Sequence, residues 1–108
     1  MANNFTVNPM RVDGTMANDY LTTIAASAGL ERPVKIVKIA VETTGAPGAA
    51  GAITFTDGSA GANVLWEKQV TTTANVNVAN DEPNGSLLWR NFKCTAIQTN
   101  CVVWIYRK

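Results

Sequence analysis

The chain contains no histidine, and charged residues make up only 16% of its 108 positions, against roughly 25% in an average soluble protein. Without histidine, the Ser-His and Cys-His nucleophile systems and the common zinc sites lose their main component. Nine basic and eight acidic residues give a formal net charge of +1, and no four Lys or Arg lie close together. Because binding to a phosphate backbone depends on clustered cations, we expect no direct nucleic-acid partner.

Long apolar runs are also missing. No window reaches the roughly 18 apolar residues that cross a bilayer, and the first residues lack a basic region followed by an apolar one. We therefore expect no membrane partner and folding in a cytoplasm. The two cysteines, Cys94 and Cys101, would lie opposite each other in a hairpin that turns around Ile97 and Gln98. A bridge is geometrically possible, but two buried free thiols are the commoner state in a reducing compartment.

Groups that could carry out catalysis are few. Asp57, Asp81 and Glu82 lie in predicted loops, where a carboxylate is far more often solvated than part of an acid and base pair. A catalytic pair also needs a concave, desolvated pocket, and no pattern in the sequence indicates one. The sequence predicts that the protein is not an enzyme, with no catalytic residue, no cofactor and no metal.

What the sequence does contain is a series of short runs rich in Val, Ile, Thr and aromatic residues, separated by Gly, Asn and Asp clusters. Alternation predicts strands at 34–43, 52–56, 63–70 and 75–78, the last at a sheet edge, and two or three more within 87–106. Loops are predicted at 45–51, 57–61 and 80–85. Residues 20–28 fit a strand or a short helix, and we favour the strand. This spacing predicts an all-β fold, a two-sheet antiparallel sandwich or jelly roll, over residues 20–108.

Residues 1–19 differ from the rest of the chain in composition, because polar and turn-forming residues interrupt a few isolated apolar side chains. These are too sparse for an independent core, so we expect an extended N-terminal arm that is mobile or docks on a neighbouring surface. The last strand, 101–106, is apolar on both sides and must be covered twice. These two regions supply the predicted interface residues, which are Phe5, Val7, Met10, Val12, Val102, Trp104 and Tyr106.

Trp66, Trp89 and Trp104 leave two functions open, since aligned tryptophans can form a sugar-binding platform or pack in a core. A carbohydrate-binding or adhesion module predicts at least one of them exposed beside polar groups. A structural subunit predicts all three buried, in the subunit or at an interface. Packing in a core or interface is the more frequent role.

The order of segments carries a resemblance. The segments, in order, are PVKIVKIAVETTG, a Gly-rich gap, GAITFTDGSAGANVLWE, a polar stretch and SLLWRNFKCTAIQTNCVVWIYRK. This order resembles that of the small β-sandwich virion proteins of tailed bacteriophages. In those proteins a strand precedes a Gly-X-hydrophobic-Thr-X-X-Asp-Gly hairpin, and the chain ends in a hydrophobic strand with a terminal Tyr. The matching positions here are Gly51, Thr54, Asp57, Gly58 and Tyr106.

The resemblance implies a structural role. It suggests a decoration or cement protein on the phage head that docks on the major capsid protein, or a small neck or tail component bound to another virion protein. It also implies a symmetric homo-oligomer, with a trimer favoured, that is assembled in the host cytoplasm and located in the virion. The low charge, the doubly apolar last strand and the N-terminal arm agree with such a subunit.

Overall fold

The computed structural model describes residues 3–5, 7–16, 18–20, 34–57, 63–75, 79–81, 87–89 and 91–107. The strands in these ranges are β1 (Met10–Val12), β2 (Val34–Thr43), β3 (Gly51–Thr56), β4 (Val64–Val70), β5 (Ala79–Asp81), β6 (Leu87–Trp89), β7 (Lys93–Ala96) and β8 (Cys101–Arg107). The strand predicted at 20–28 lies outside the described residues, apart from Tyr20, which is helical rather than extended.

The strands form two antiparallel sheets, which confirms the predicted all-β sandwich. The large sheet has five strands, in the order β1, β8, β2 and β5, with β6 also paired to β2. Ile36 of β2 lies opposite β8 on one side and β6 on the other, so β5 and β6 lie end to end along the same edge. The small sheet has the order β4, β3, β7.

The core lies between the sheets and is rich in aromatic rings. Tyr20 stacks on Phe92 with ring centroids 4.5 Å apart, and Phe92 also contacts Phe5, Phe55 and Trp89 at 5.2–6.1 Å. Burial of such rings supplies much of the stabilising free energy of a small domain. Aliphatic side chains of both sheets complete the core, among them Met10, Val12, Ile36, Ile39, Val41, Ile53, Val103 and Ile105.

The N-terminal residues belong to this core, which corrects the prediction of a separate arm over residues 1–19. β1 pairs with β8, so that Met10 lies opposite Ile105 and Val12 opposite Val103. The side chain of Asn8 accepts a hydrogen bond from the backbone N–H of Arg107 and donates one to its carbonyl. The apolar side chains that are too sparse for a core of their own therefore complete the core of the sandwich.

A bulge in β2 corrects the predicted alternation of that strand. Strict alternation would place Ile36 and Ile39 on opposite faces, but both are fully buried. The register against β8 shifts between Ile36 and Lys38. One extra residue reverses the phase of the strand, so the same face stays buried on either side of the bulge.

The predicted hairpin of Cys94 and Cys101 is wrong. β7 belongs to the small sheet and β8 to the large sheet, so the connection between them crosses the sandwich. Asn100, at φ 64°, adopts the left-handed conformation that Asn accepts more readily than most residues. Both cysteines are buried free thiols.

Other boundaries differ by a few residues. β3 buries Ile53 and Phe55. The edge strand after β4 spans Ala79–Asp81, so its last two residues fall in the predicted loop at 80–85, and the strand predicted at 75–78 lies outside the described residues apart from Asn75. Val64 is exposed, although strict alternation along β4 would place it on the same face as the buried Val70; the pairing of β3 and β4 shifts between Phe55 and Thr56.

Candidate functional site

The outer face of the large sheet carries a row of side chains across four strands. Arg11 of β1 lies opposite Trp104 of β8, which lies opposite Ala40 of β2, which in turn lies opposite Asn80 of β5. Side chains that are direct cross-strand partners share one face. Ala40 has the smallest side chain in the row, so the surface is depressed between Trp104 and Asn80.

An open groove of about 480 Å³ lies over this low point, within the roughly 300–1,000 Å³ typical of ligand sites. Strands are spaced about 4.8 Å apart, so the two strands that carry Trp104 and Asn80 lie about 10 Å apart across Ala40. The lining residues are Pro9, Ala40, Val41, Glu42, Asn80, Trp104 and Tyr106. The groove is therefore aromatic along β8 and polar along β5 and one end of β2.

Two cations lie against the aromatic rings of this face. The guanidinium carbon of Arg11 is 5.5 Å from the centre of the Trp104 ring, and Lys38 Nζ is 5.3 Å from that of Tyr106. Both distances are within cation–π range. Arg11 also forms an ion pair with Asp13 at 3.1 Å. These contacts hold the two aromatic side chains in fixed positions beside the groove.

The predicted interface residues divide into two groups. Val102, Trp104 and Tyr106 lie together on the outer face of β8. Val102 is 3% exposed and offers almost no surface to a partner, whereas Trp104 and Tyr106 are half-buried. Phe5, Met10 and Val12 are buried in the core of their own chain, so they are not available as a docking surface in this fold. Val7 is 43% exposed.

Sequence reasoning missed the other residues of the groove. Pro9, Ala40, Glu42 and Asn80 come from three separate segments and lie together only because β2 pairs with both β5 and β8. The alternation along β2 was a usable signal for Ala40 and Glu42, which both fall on the face opposite Val41. Nothing in the sequence pattern places Pro9 or Asn80 beside them.

The three tryptophans have different environments. Trp89 is buried in the aromatic core, and Trp104 is half-buried beside the groove. Trp66 of the small sheet is also half-buried, and its indole N–H donates a 2.6 Å hydrogen bond to Asp81 of the large sheet. Trp66 and Asp81 thus join the edges of the two sheets. Two of the three tryptophans lie partly exposed beside polar groups.

Burial controls the chemistry of the thiols. It raises the pKa of the Cys94 thiol from 9.0 to about 11 and also raises that of Cys101. Hydrogen bonding with the backbone of Ala96 lowers the pKa of Cys94 and partly opposes the effect of burial. Because the thiolate is the nucleophile and metal-binding form, neither cysteine is activated for covalent chemistry.

This shift gives a testable pH dependence. A thiol whose pKa is higher in the folded protein contributes its full stabilising free energy below pH 9.0, which is its pKa in the unfolded chain. This contribution is lost as the pH rises toward 11, the pKa in the folded protein. At about 1.4 kcal/mol per unit, we expect the free energy of unfolding to fall by up to about 3 kcal/mol through Cys94. Urea titrations from pH 7.5 to 11 measure this loss. Cys94→Ala should have the shallower pH profile, with every other titrating group unchanged, and equal slopes in the two proteins would contradict the assignment.

Among the described residues, no three Cys, Asp or Glu side chains lie together as a metal site, and no helix in that part of the chain has the length and apolarity to span a membrane. The chain matches no protein-family model, and comparisons with curated proteins and with solved structures likewise give no match. The function must therefore be argued from the groove and the outer face themselves.

Proposed function

We propose that this chain is a non-catalytic structural subunit of a tailed-phage virion, a capsid decoration or cement protein. It self-associates, as a trimer by preference, and docks on the major capsid protein or another virion protein. The observation that supports this proposal is the outer face of β8, a strand paired on both sides, where the aromatic side chains of Trp104 and Tyr106 lie half-buried beside the groove.

The part of this face formed by Arg11, Trp104 and Tyr106 suits contact with another protein, whereas Lys38 and Glu42 beside it carry charge that a partner would have to match. Aromatic side chains and arginine are enriched at protein interfaces, whereas lysine and carboxylates are depleted. Arg11 already pairs with Asp13 and packs on Trp104, so less of its charge has to be desolvated when a partner covers the face. The groove over Ala40 offers a recess for a side chain of that partner.

The same groove supports a second candidate, a carbohydrate-binding or adhesion module. Trp104 is partly exposed beside Glu42 and Asn80, which is the arrangement expected of a sugar platform. A sugar ring over Ala40 would place its apolar C–H face against an aromatic side chain and its hydroxyls toward the carboxylate and the amide. The carboxylate of Glu42 disfavours phosphorylated ligands by charge repulsion.

Trp104→Ala tests the structural proposal. Truncation of a central tryptophan at an interface costs about 2 kcal/mol or more, so we expect self-association and capsid docking to weaken by roughly 30-fold or more. Light scattering over a concentration series measures the first, and co-sedimentation with undecorated capsids measures the second. Val64→Ala is the control, because Val64 is 56% exposed on β4 of the small sheet and is not on the outer face of the large sheet. Unchanged association and docking of Trp104→Ala would contradict the proposal.

A titration with methyl glycosides, followed by tryptophan fluorescence, separates the two candidates. The structural proposal predicts no saturable change with glucosides, galactosides, mannosides or N-acetylglucosaminides. The carbohydrate candidate predicts a saturable change that Ala40→Leu abolishes by filling the floor of the groove. A monomer in light scattering together with glycoside binding would replace the first candidate by the second.

A further inference from the structure

Residues 3–20, which we name the N-terminal segment, join the rest of the fold only through distant parts of the sequence among the described contacts. Asn8 bonds to the backbone of Arg107, 99 positions away. The backbone N–H of Met16 donates to the carbonyl of Cys94, and that of Tyr20 donates to the carbonyl of Phe92. The segment therefore docks as a separate piece in a slot between β8 of the large sheet and β7 of the small sheet.

This segment also completes the candidate site. Pro9 lines the groove, and Arg11 packs over the Trp104 ring. Without the segment, β8 would lose β1, one of its two neighbours in the sheet, and Trp104 would lose its cation. The groove is thus a composite of the segment and the remaining sandwich.

The described sheet edges are poorly suited to direct strand addition by a second copy. The edge strand β4 carries Lys68 opposite Ile53, on the face that turns toward the core, and an inward-pointing charge at an edge discourages pairing. On the other side, backbone hydrogen bonds link Asn4 to Arg11 beyond β1, and Met16 to Cys94 beside β7. The edge formed by β5 and β6 consists of two strands of 3 residues each.

Exchange of the N-terminal segment avoids these obstacles. Each contact between the segment and the sandwich forms equally well whichever copy supplies the segment, because none depends on the local connection. Residues 21–33 join the segment to β2, and a chain of that length reaches roughly 45 Å when extended. This exceeds the longest dimension of the molecule, 39 Å, so the connection is long enough to lead into a neighbouring copy.

We propose that copies of this chain assemble by exchange of residues 3–20, so that each sandwich holds the N-terminal segment of another copy. Each groove then contains Pro9 and Arg11 from one copy and Trp104, Ala40 and Asn80 from another. The inference rests on the proposed self-associating role and gives it a mechanism. Exchange of an identical element is a low-cost route to a symmetric oligomer, since it uses contacts that already exist.

A paired cysteine variant of the full chain tests the exchange. Arg11 and Trp104 are direct cross-strand partners, which places their Cβ atoms about 4.5–5.5 Å apart, near disulfide range. The double variant R11C/W104C is oxidised at pH 8, where the native Cys94 thiol is protonated, and is then denatured and run on a non-reducing gel. Exchange predicts covalently linked copies at dimer mass or above, and a segment held by its own chain predicts a covalent monomer.

The variant N4C/R11C is the matched control. Asn4 and Arg11 pair within the segment itself, so this disulfide stays inside one chain whether or not exchange occurs. Linked copies in R11C/W104C and a monomer in N4C/R11C support the proposal. A covalent monomer in both overturns it.

A second measurement needs no substitution. Carbon-13-labelled and unlabelled chains are refolded together, and isotope-filtered NMR detects contacts between copies. Exchange predicts intermolecular contacts between Met10 and Ile105, which are partners in the sheet, and their absence overturns it. Light scattering on the same sample shows whether only the exchange fails or whether the self-associating role fails as well. An oligomer without these contacts removes only the exchange, whereas a monomer removes the self-associating role as well.

Discussion

Replacement of Phe92 by alanine is expected to lower the free energy of unfolding by about 3–5 kcal/mol. Phe92 is fully buried and contacts Phe5, Tyr20, Phe55 and Trp89, so its removal leaves a cavity that four rings would have to close. A domain of this size has a total stability of only about 5–15 kcal/mol. The substitution therefore removes a large part of the stability, and urea denaturation followed by circular dichroism measures it.

Leu88→Ala provides the comparison for this result. Leu88 is exposed on the outer face, and surface substitutions usually change stability by no more than about 0.5 kcal/mol. Equal losses in Phe92→Ala and Leu88→Ala would mean that the aromatic cluster does not form the core. A large loss in Phe92→Ala alone would support the packing of the two sheets around these rings.

Introduction of a lysine at Val12 is expected to prevent folding or to cost several kcal/mol. Val12 is 0% exposed and lies opposite Val103 in the core between the sheets, where an unpaired ammonium group has no water and no counter-charge. Thermal unfolding and the dispersion of the amide NMR spectrum measure the effect.

Val7→Lys is the matched control, because Val7 belongs to the same N-terminal segment but is 43% exposed. We expect its stability to stay within about 0.5 kcal/mol of the unchanged protein. If Val12→Lys were as stable as Val7→Lys, β1 would not be part of the core and the prediction of a free arm would be restored. The comparison applies whether the segment docks in its own copy or in another.

The revised role of the N-terminal segment changes how its deletion should be interpreted. A loose arm can be removed without harm to the domain, whereas this segment contributes an edge strand, β1, and the buried side chains of Phe5 and Met16. Loss of virion attachment after deletion of residues 1–19 would therefore reflect lost folding as readily as a lost docking surface. Single substitutions on the outer face, such as Trp104→Ala, are the more informative test of docking.

The sequence by itself determined the fold class and most of the strands. Alternating apolar residues and Gly, Asn and Asp clusters are local signals, so they located β2, β3, β4 and β8 to within one residue at each end. Low charge and the absence of histidine likewise restricted the chemistry before any contact was known. Alternation along the last strand, which is apolar on both faces, placed Val102, Trp104 and Tyr106 together on one face, and they lie on the outer face of β8.

Only the tertiary structure decided which strands pair and what the N-terminal segment does. Pairing across 99 positions, as between Asn8 and Arg107, leaves no local periodicity to detect. The bulge in β2 reversed the phase of its alternation, and the cross-over after β7 separated two cysteines that the sequence placed in one hairpin. The groove depends on the same long-range register, because Pro9, Ala40, Asn80 and Trp104 become neighbours only when β1, β8, β2 and β5 lie side by side.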